Sequence, residues 1–336
     1  MAAMKKNQKE KQSEKVGHDR KLLVQIYKDL CLYRRFEERV NIAYTTRRKF
    51  AGFCHLHIGQ EALCVGVQKS IRVTDYMVTG YRSHTQAIAK GISPNAVMAE
   101  LFGKVDGAVR GKGGSMHMFS KDKRFLGGHG IVGGQVPLAV GAAFAIKYRG
   151  EKDVVICYVG DAATNQGAFH EALNMAAIWD LPVLCIIENN RYGMGTDIHR
   201  TTSIDHLWKR ALAYDMDHSQ IDALDTMNVY EHVSGIVADM RERPRPHLLE
   251  AMTYRYRGHS VSDPANYRTK EEVAEVQKRD SILQHGEFLK KLSIASDADL
   301  VVWDEEARAI AAAAEEFADS SAKPEIDELW THVFAD

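Results

Sequence analysis

Two apolar runs decide the fold: residues 153–159 (DVVICYV) are followed by 160–162 (GDA), and residues 182–187 (PVLCII) by 188–190 (ENN). Both runs are short and rich in β-branched residues, which is typical of strands buried on both faces of a parallel sheet. Between them, residues 165–179 carry apolar side chains at helical spacing. The stretch predicts a strand–helix–strand crossover and, for the chain, an α/β fold with a mostly parallel sheet and helices on both faces.

The two polar segments are expected to meet, because a right-handed crossover brings the carboxyl ends of parallel strands to one edge of the sheet, where such sheets bind ligands. Asp161 offers a carboxylate oxygen, Asn190 an amide oxygen, and the turn at 191–193 a backbone carbonyl. Mg²⁺ takes about six hard oxygens and often completes its shell with phosphates and water. The pattern favours a magnesium–diphosphate site. The alternative is that Asp161 caps a helix and the two asparagines form a turn.

Composition narrows the classes of function. The 336 residues are 45% hydrophobic and 26% charged, with a formal net charge of −1. This balance provides no basic excess for nucleic acid or an anionic membrane, and no apolar stretch approaches the roughly 20 residues of a membrane span. We therefore expect a globular protein without nucleic-acid or membrane partners. The cysteines form no Cys-x-x-Cys pair and are expected to be reduced, mostly buried thiols: Cys31, Cys54, Cys64, Cys157 and Cys185.

The chain is expected to form one domain. The first nineteen residues are polar and Lys-rich, without the arginines of a transit peptide or the apolar run of a secretory signal. We predict a disordered tail over residues 1–20 and a single domain over 21–336 with an N-terminal helical extension and C-terminal helices. A bacterial cytoplasmic location is favoured over the mitochondrial matrix.

Weaker patterns place the remaining elements. Residues 103–134 are glycine-rich and lack periodicity, and a loop of that length in a compact domain is usually functional. The other predicted elements are a long amphipathic helix over 21–48, a short helix from Gln60, a strand at 76–79, helices near Ser83, Pro94, Asp205 and Met227, a strand at 247–252 and a polar loop at 254–267.

Two nucleotide motifs occur in weakened form. Residues 128–133 (GHGIVG) match a dinucleotide fingerprint, but the charged residues 121–126 before them are not expected to form the required strand. A phosphate-binding P-loop fails on register, because Asp106 occupies the place of its first glycine and Gly113 that of its Ser or Thr. Both alternatives are disfavoured.

Several further motifs point to one family. Gly160-Asp161-Ala162, 26 residues and Asn189-Asn190 resemble the thiamine-diphosphate motif, with Ala162 where glycine is usual. Together with the segments at 52–61 (GFCHLHIGQE), 80–84 (GYRSH), 111–118 (GKGGSMHM), 130–135 (GIVGGQ) and 254–264 (YRYRGHSVSDP), they closely resemble alpha subunits of thiamine-diphosphate-dependent 2-oxo acid dehydrogenases of the heterotetrameric, pyruvate type. The resemblance runs from about Leu22 to the C-terminus.

The resemblance implies a set of site residues. Arginine suits the diphosphate because its guanidinium binds phosphate oxygens in a bidentate fork. The implied Mg²⁺ ligands are Asp161, Asn190 and the carbonyl of Tyr192; the implied cofactor contacts are Tyr81, Arg82, Gly130, Val132, Asp161, Ala162, Ala163, Asn190, Arg255 and His259; and the implied catalytic histidines are His55 and His259. Each has a plainer interpretation, a surface ion pair for the arginines and a packed or solvated side chain for the histidines. Ala162 is harmless to the turn only if its φ is negative.

The resemblance also implies an activity and partners. The expected activity is oxidative decarboxylation of pyruvate and transfer of the acetyl group to a lipoyl group of an acyltransferase core. The expected partner is a beta subunit, in a tetramer of two alpha and two beta chains, which supplies the Glu that holds the aminopyrimidine. An acetoin or branched-chain 2-oxo acid enzyme and a non-catalytic binding chain remain alternatives. Ser260 matches the family's phosphorylated serine, whereas Asn266 lies about where another such serine occurs.

Overall fold

The computed structural model describes residues 18–334. Its main sheet has six strands in the order β2-β1-β3-β4-β8-β7, and every neighbouring pair is parallel. The strands are β1 (Tyr76–Gly80), β2 (Phe125–His129), β3 (Val155–Gly160), β4 (Val183–Asn189), β7 (Asp217–Asp222) and β8 (His247–Met252), while β5 (Tyr192–Gly193) and β6 (Thr196–Asp197) form a small antiparallel pair. The predicted α/β class with a parallel sheet is confirmed.

Helices cover both faces of the sheet, as the buried strands require. The α-helices are α1 (Arg20–Thr45), α2 (Glu61–Ser70), α3 (His84–Ala89), α4 (Pro94–Leu101), α5 (Gln135–Arg149), α6 (Gly167–Ile178), α7 (Thr226–Glu242), α8 (Lys270–Gln277), α9 (Ser281–Lys291) and α10 (Asp297–Ser320). Alternate strand residues face opposite cores: Ile156 joins the core under α1, α2 and α7, while Cys157 joins the core under α5 and α6. Within residues 18–334, no helix combines the length and apolarity needed to cross a bilayer.

The predicted crossover is confirmed with one local difference. Strands β3 and β4 pair in parallel, Val155 opposite Val183, and α6 connects them. The helix begins at Gly167 rather than at Asn165, because a 3₁₀ turn (Ala162–Asn165) comes first. Asp161 and Asn190 therefore follow adjacent strands at the same edge of the sheet.

The segment 103–134 is not loop throughout, which corrects the sequence interpretation. Strand β2 lies within it and runs into the GHGIVG motif, so the expectation that the residues before this motif form no strand is wrong. The dinucleotide alternative still fails, because Gly128, the first glycine of the motif, lies inside β2 and not in a turn after it. An added Cβ at Gly128 would stand 2.5 Å from the carbonyl oxygen of Met116, so the chain itself fills the space beside this glycine. The sequence interpretation also missed α5 and the edge strand β7.

The predicted disordered tail falls mostly outside the described residues, since residues 1–17 are not described. The last residues of the predicted tail form hydrogen bonds and begin the first helix. His18 Nε2 lies 2.7 Å from Glu231 Oε1, and the Asp19 side chain accepts from the backbone N–H of Lys21 to cap α1, which starts at Arg20.

Candidate active site

A cavity of about 300 Å³ opens at the carboxyl ends of β1, β3 and β4. Gly130 lies in the sequence between His129 and Val132, which both line this cavity. The ring of His55 packs against two further lining residues, with its centroid 4.5 Å from that of Tyr81 and 5.0 Å from that of His259. The fold therefore brings the predicted residues together from distant segments. Those that line the cavity directly are Tyr81, Arg82, Val132, Asp161, Ala162, Ala163, Asn190, Tyr192, Arg255 and His259.

Asp161 is a buried carboxylate with an unused oxygen. The residue is 3% exposed, its Oδ2 has no hydrogen-bond partner among the described residues, and its side chain does not cap the 3₁₀ turn that follows. The helix-cap alternative is therefore wrong. Burial raises the pKa of Asp161 to about 6, although backbone N–H groups and the Arg255 guanidinium act in the opposite direction. A cation beside Oδ2 would relieve this cost of burial.

Asn190 and the carbonyl of Tyr192 both accept a hydrogen bond from the buried guanidinium of Arg255. Nη1 of Arg255 donates to Asn190 Oδ1 at 3.1 Å and to the Tyr192 carbonyl at 3.3 Å. Two of the three predicted metal-binding oxygens thus converge on one positive group. The turn alternative holds for the neighbouring Asn189 alone, whose Oδ1 accepts from the backbone N–H of Arg191 at 3.1 Å.

Ala162 is accommodated in the turn that follows β3. The residue lies in the 3₁₀ turn with a negative φ, so its methyl group imposes no backbone strain. The methyl instead occupies space beside Gly193, where an added Cβ would stand 2.4 Å from the Cβ of Ala162. These two positions share room for one methyl group.

We expect Gly193→Ala to lower the free energy of unfolding by roughly 1–3 kcal/mol, because the added methyl group overpacks the space that Ala162 already fills. Adding Ala162→Gly to the same chain removes the clash and should restore most of the lost stability. Urea denaturation followed by circular dichroism measures both. Gly141→Ala, where an added Cβ meets nothing within 4 Å, is the control. Equal stabilities of Gly193→Ala and the double variant would contradict the shared-space argument.

Arg82 and Arg255 form a buried, positively charged wall. They are 7% and 1% exposed, so the surface ion-pair alternative is wrong. Arg82 donates to the carbonyls of Leu56 and His259, and Arg255 donates to carbonyl, amide and phenol oxygens rather than to carboxylates. Burial and the neighbouring Arg255 lower the pKa of Arg82 to about 10. Two buried cations with neutral partners are suited to bind an anion.

His55 and His259 stand together beside this wall. Burial and the Arg82 guanidinium lower the pKa of His55 to about 2 and that of His259 to about 4. Both rings are therefore neutral at pH 7, and the Nδ1 atom of each is buried without a partner in the described chain. The backbone N–H of His259 donates to Asp263 at 2.6 Å, which fixes the loop that carries the ring.

The lowered pKa of His55 predicts acid sensitivity. Since its folded pKa lies below the unfolded value near 6.5, this residue costs no stability above pH 6.5 and destabilises the fold as pH falls below it, by about 1.4 kcal/mol per pH unit. We expect His55→Gln to lose less thermal stability than the unmutated chain between pH 7.5 and 5.5. The exposed His199→Gln is the control. Identical losses in all three proteins would show that the fold does not lower the pKa of His55.

Other candidate residues have separate surroundings. His84 is fully buried between Glu37 and Ser115, and His170 on α6 contacts the Tyr214 hydroxyl. His129 lines the cavity. Ser260 is half-buried with its Oγ 3.1 Å from Ser262 Oγ, and its phosphorylation stays a prediction.

Several residues in or beside the cavity were not anticipated as site residues. Thr79, Gln135 and Glu188 line the cavity, and Gln60 accepts a hydrogen bond from the Asn190 side chain. Gln60 lies within the quoted 52–61 motif and Glu188 directly before the asparagine pair, so the motifs contained the signal. The contacts of these residues join segments that are far apart in the sequence, so no local sequence pattern indicates them.

A parallel sheet with an oxygen-lined, anion-attracting cavity at its carboxyl edge agrees with a class of cofactor-dependent dehydrogenases. The chain belongs to the Dehydrogenase E1 component family, whose model matches residues 28–327 and whose members generally use thiamine diphosphate. It is 43% identical to the pyruvate dehydrogenase E1 component subunit alpha of Rickettsia bellii over 311 residues, 93% of this chain and 95% of that protein. Over 308 residues it is 45% identical to the same-named subunit of Rhizobium meliloti, covering 91% and 88% of the two chains. The resemblance inferred from the motifs is confirmed.

Proposed function

We propose that this chain is the alpha subunit of a pyruvate dehydrogenase (acetyl-transferring) that uses thiamine diphosphate and Mg²⁺. The reaction decarboxylates pyruvate oxidatively and transfers the acetyl group to a lipoyl group of an acyltransferase core. The observation that carries this proposal is that Asp161, Asn190 and Tyr192 line one cavity together with two buried arginines. The names of the relatives support pyruvate as the substrate. A cytoplasmic location stays a prediction.

The donor set suits a hard divalent cation. Asp161 supplies a carboxylate oxygen that lacks a partner, and Arg255 already places a positive group against Asn190 Oδ1 and the Tyr192 carbonyl. Three protein oxygens leave positions for diphosphate oxygens and water in an octahedral shell. We therefore assign the Mg²⁺ ligands to Asp161, Asn190 and the Tyr192 carbonyl.

The remaining residues bind the cofactor and handle the substrate. Arg82, Arg255 and Tyr81 would hold the diphosphate, and backbone groups of Gly130 and Val132 would meet the aminopyrimidine. Thiamine diphosphate supplies the electron sink for decarboxylation of a 2-oxo acid. The neutral rings of His55 and His259 would hold or move a proton at the substrate and during acetyl transfer. Their lowered pKa values keep them uncharged at working pH.

The cavity also supports the need for a second subunit. The described carboxylates in its wall are Asp161, assigned to the metal, and Glu188, whose Oε1 pairs with His57 Nε2 at 2.9 Å. Neither is free to hold the aminopyrimidine. We propose that a beta subunit supplies this acid in a tetramer of two alpha and two beta chains, which docks on the lipoyl-bearing core.

The test is substrate-dependent turnover by the chain assembled with the beta subunit of its own organism, with thiamine diphosphate and Mg²⁺. We expect CO₂ release from pyruvate and none from the alpha chain alone. Turnover only of a branched-chain 2-oxo acid, or only cleavage of acetoin, would move the chain to a sister enzyme. An assembled complex that turns over none of them would favour a non-catalytic binding chain.

A further inference from the structure

One fully buried carboxylate is enclosed by a glycine-rich loop. Glu100 lies near the end of α4, and the glycine loop, residues 107–114, wraps around its side chain. Successive backbone N–H groups of this kind form a nest that binds an anion. Each carboxylate oxygen accepts two N–H groups at 2.7–3.0 Å: Oε2 accepts from Val109 and Gly111, and Oε1 accepts from Gly113 and Gly114.

This arrangement fits a carboxylate and no amide. Both ends of a carboxylate accept hydrogen bonds, whereas one end of a glutamine side chain is an NH₂ donor. Because two N–H groups face each end of the Glu100 side chain, an amide in its place would set donor against donor whichever way it was turned. The hydrogen bonds to this carboxylate in the described chain all come from backbone N–H groups and none from a cationic side chain. The glycine loop is therefore built around an anion that the chain itself provides.

The backbone of the glycine loop follows the carboxylate closely. An added Cβ at Gly107 would stand 2.4 Å from Glu100 Oε2, and Gly111 has a φ of +77°, in the left-handed region that favours glycine. The N–H groups of this loop are thus not available to an external phosphate, since Glu100 already occupies the nest. This is a structural reason, besides the register of the motif, why the loop does not act as a P-loop.

The segment after the glycine loop, residues 115–118, lies against β2 and Gly130. The carbonyl of Met118 accepts from the backbone N–H of Gly128 at 3.1 Å. The ring of His117 lies so close to Gly130 that an added Cβ on Gly130 would stand 3.1 Å from its Cε1. Since the backbone of Gly130 is the proposed contact of the aminopyrimidine, this segment supports that part of the cofactor site from behind.

We propose that Glu100 is a positioning residue whose carboxylate fixes the glycine loop as an internal anion and thereby holds residues 115–118 against Gly130 before the cofactor binds. The inference rests on the proposed function, because it takes Gly130 as a cofactor contact. When only a fraction of the protein has the binding-competent conformation, the apparent affinity falls by that fraction. Loss of the carboxylate should therefore weaken thiamine diphosphate binding, whereas enzyme saturated with the cofactor should keep its rate.

The test is the dissociation constant of thiamine diphosphate for the assembled enzyme with Mg²⁺, measured by titration calorimetry, together with pyruvate turnover at saturating cofactor. Glu100→Gln should raise the dissociation constant at least about tenfold, because two buried N–H donors lose their acceptor. The rate at saturation should change little. Glu315→Gln is the matched control, since Glu315 is 1% exposed on α10 and pairs with Arg39 and Arg47. It should lower thermal stability and leave the cofactor affinity unchanged.

Acetate separates the effect of the anion from general damage. Glu100→Ala removes the atoms of one acetate ion, so acetate has the size and charge to refill the nest. We expect acetate to restore most of the cofactor affinity that Glu100→Ala loses. Acetamide, which is similar in shape but uncharged, and chloride at the same ionic strength should not restore it. Equal effects of acetate and acetamide would overturn the role of the anion.

A milder variant decides the question if the Glu100 variants fail to assemble. Gly114 has a φ of +58° and open space around an added Cβ, so Gly114→Ala strains the glycine loop without a clash. We expect it to weaken cofactor binding about threefold or more, with the saturated rate retained. An unchanged dissociation constant in any of these variants that assembles, or a saturated rate that falls as far as the affinity, would overturn the positioning role. Failure of the unmutated enzyme to bind thiamine diphosphate would instead overturn the proposed function, and this inference with it.

Discussion

Asp161→Ala should abolish pyruvate turnover, with a loss of at least about a thousandfold, because it removes the only carboxylate among the three proposed metal ligands. The remaining oxygens of Asn190 and Tyr192 are uncharged and would hold Mg²⁺ and a diphosphate weakly. The measurement is CO₂ release by the assembled enzyme over a range of Mg²⁺ and thiamine diphosphate concentrations. Raising both should not restore the rate.

The same substitution should not destabilise the protein without its cofactor. Burial raises the pKa of Asp161, so removal of this carboxylate leaves the free energy of unfolding unchanged or higher. The thermal midpoint without ligand should therefore stay the same or rise, while the increase caused by cofactor and Mg²⁺ disappears. The exposed Asp205→Ala is the control. Cofactor-induced stabilisation that persists in Asp161→Ala would contradict the metal assignment.

The central crossover could be predicted because its signals are local. Residues of β3 and β4 are apolar and buried on both faces, and the polar residues that end them mark the carboxyl edge. The edge strand β7 (DHSQID) escaped prediction because Ile221 alone in it is fully buried, so no apolar pattern exists. Helix α5 follows a run of glycines and contains Pro137, and these features concealed its start.

The site shows the same division between local and distant signals. The motifs identified Asp161, Asn190 and Arg255. Whether the methyl group of Ala162 strains the turn depends, however, on a φ angle that the residue type does not determine. The pairing of Asn190 with Gln60 joins residues 130 apart in the chain. Such contacts follow from how the layers pack, which a sequence pattern of period 2 or 3.6 does not encode.

His55→Ala and His259→Ala should each reduce acetyl transfer to a lipoyl acceptor by roughly 10²–10⁴, the usual range for a lost proton-transfer group. Both rings are neutral with a free Nδ1, and their centroids lie 5.0 Å apart beside Tyr81. They are therefore placed to act on a substrate at the cavity rather than to bind the metal. Affinity for thiamine diphosphate should change less than about threefold in His55→Ala, because His55 is not among the proposed contacts of the metal or the cofactor.

This separation of binding from chemistry distinguishes His55 from Asp161. Cofactor-induced thermal stabilisation should be lost in Asp161→Ala and kept in His55→Ala, while both variants lose turnover. The exposed His199→Ala should match the unmutated enzyme in both measurements. If His55→Ala retained full acetyl transfer, the ring would be a packing residue against Tyr81 and His259. If it lost cofactor binding as Asp161→Ala does, its role would lie in shaping the cavity, and proton transfer would fall to His259 alone.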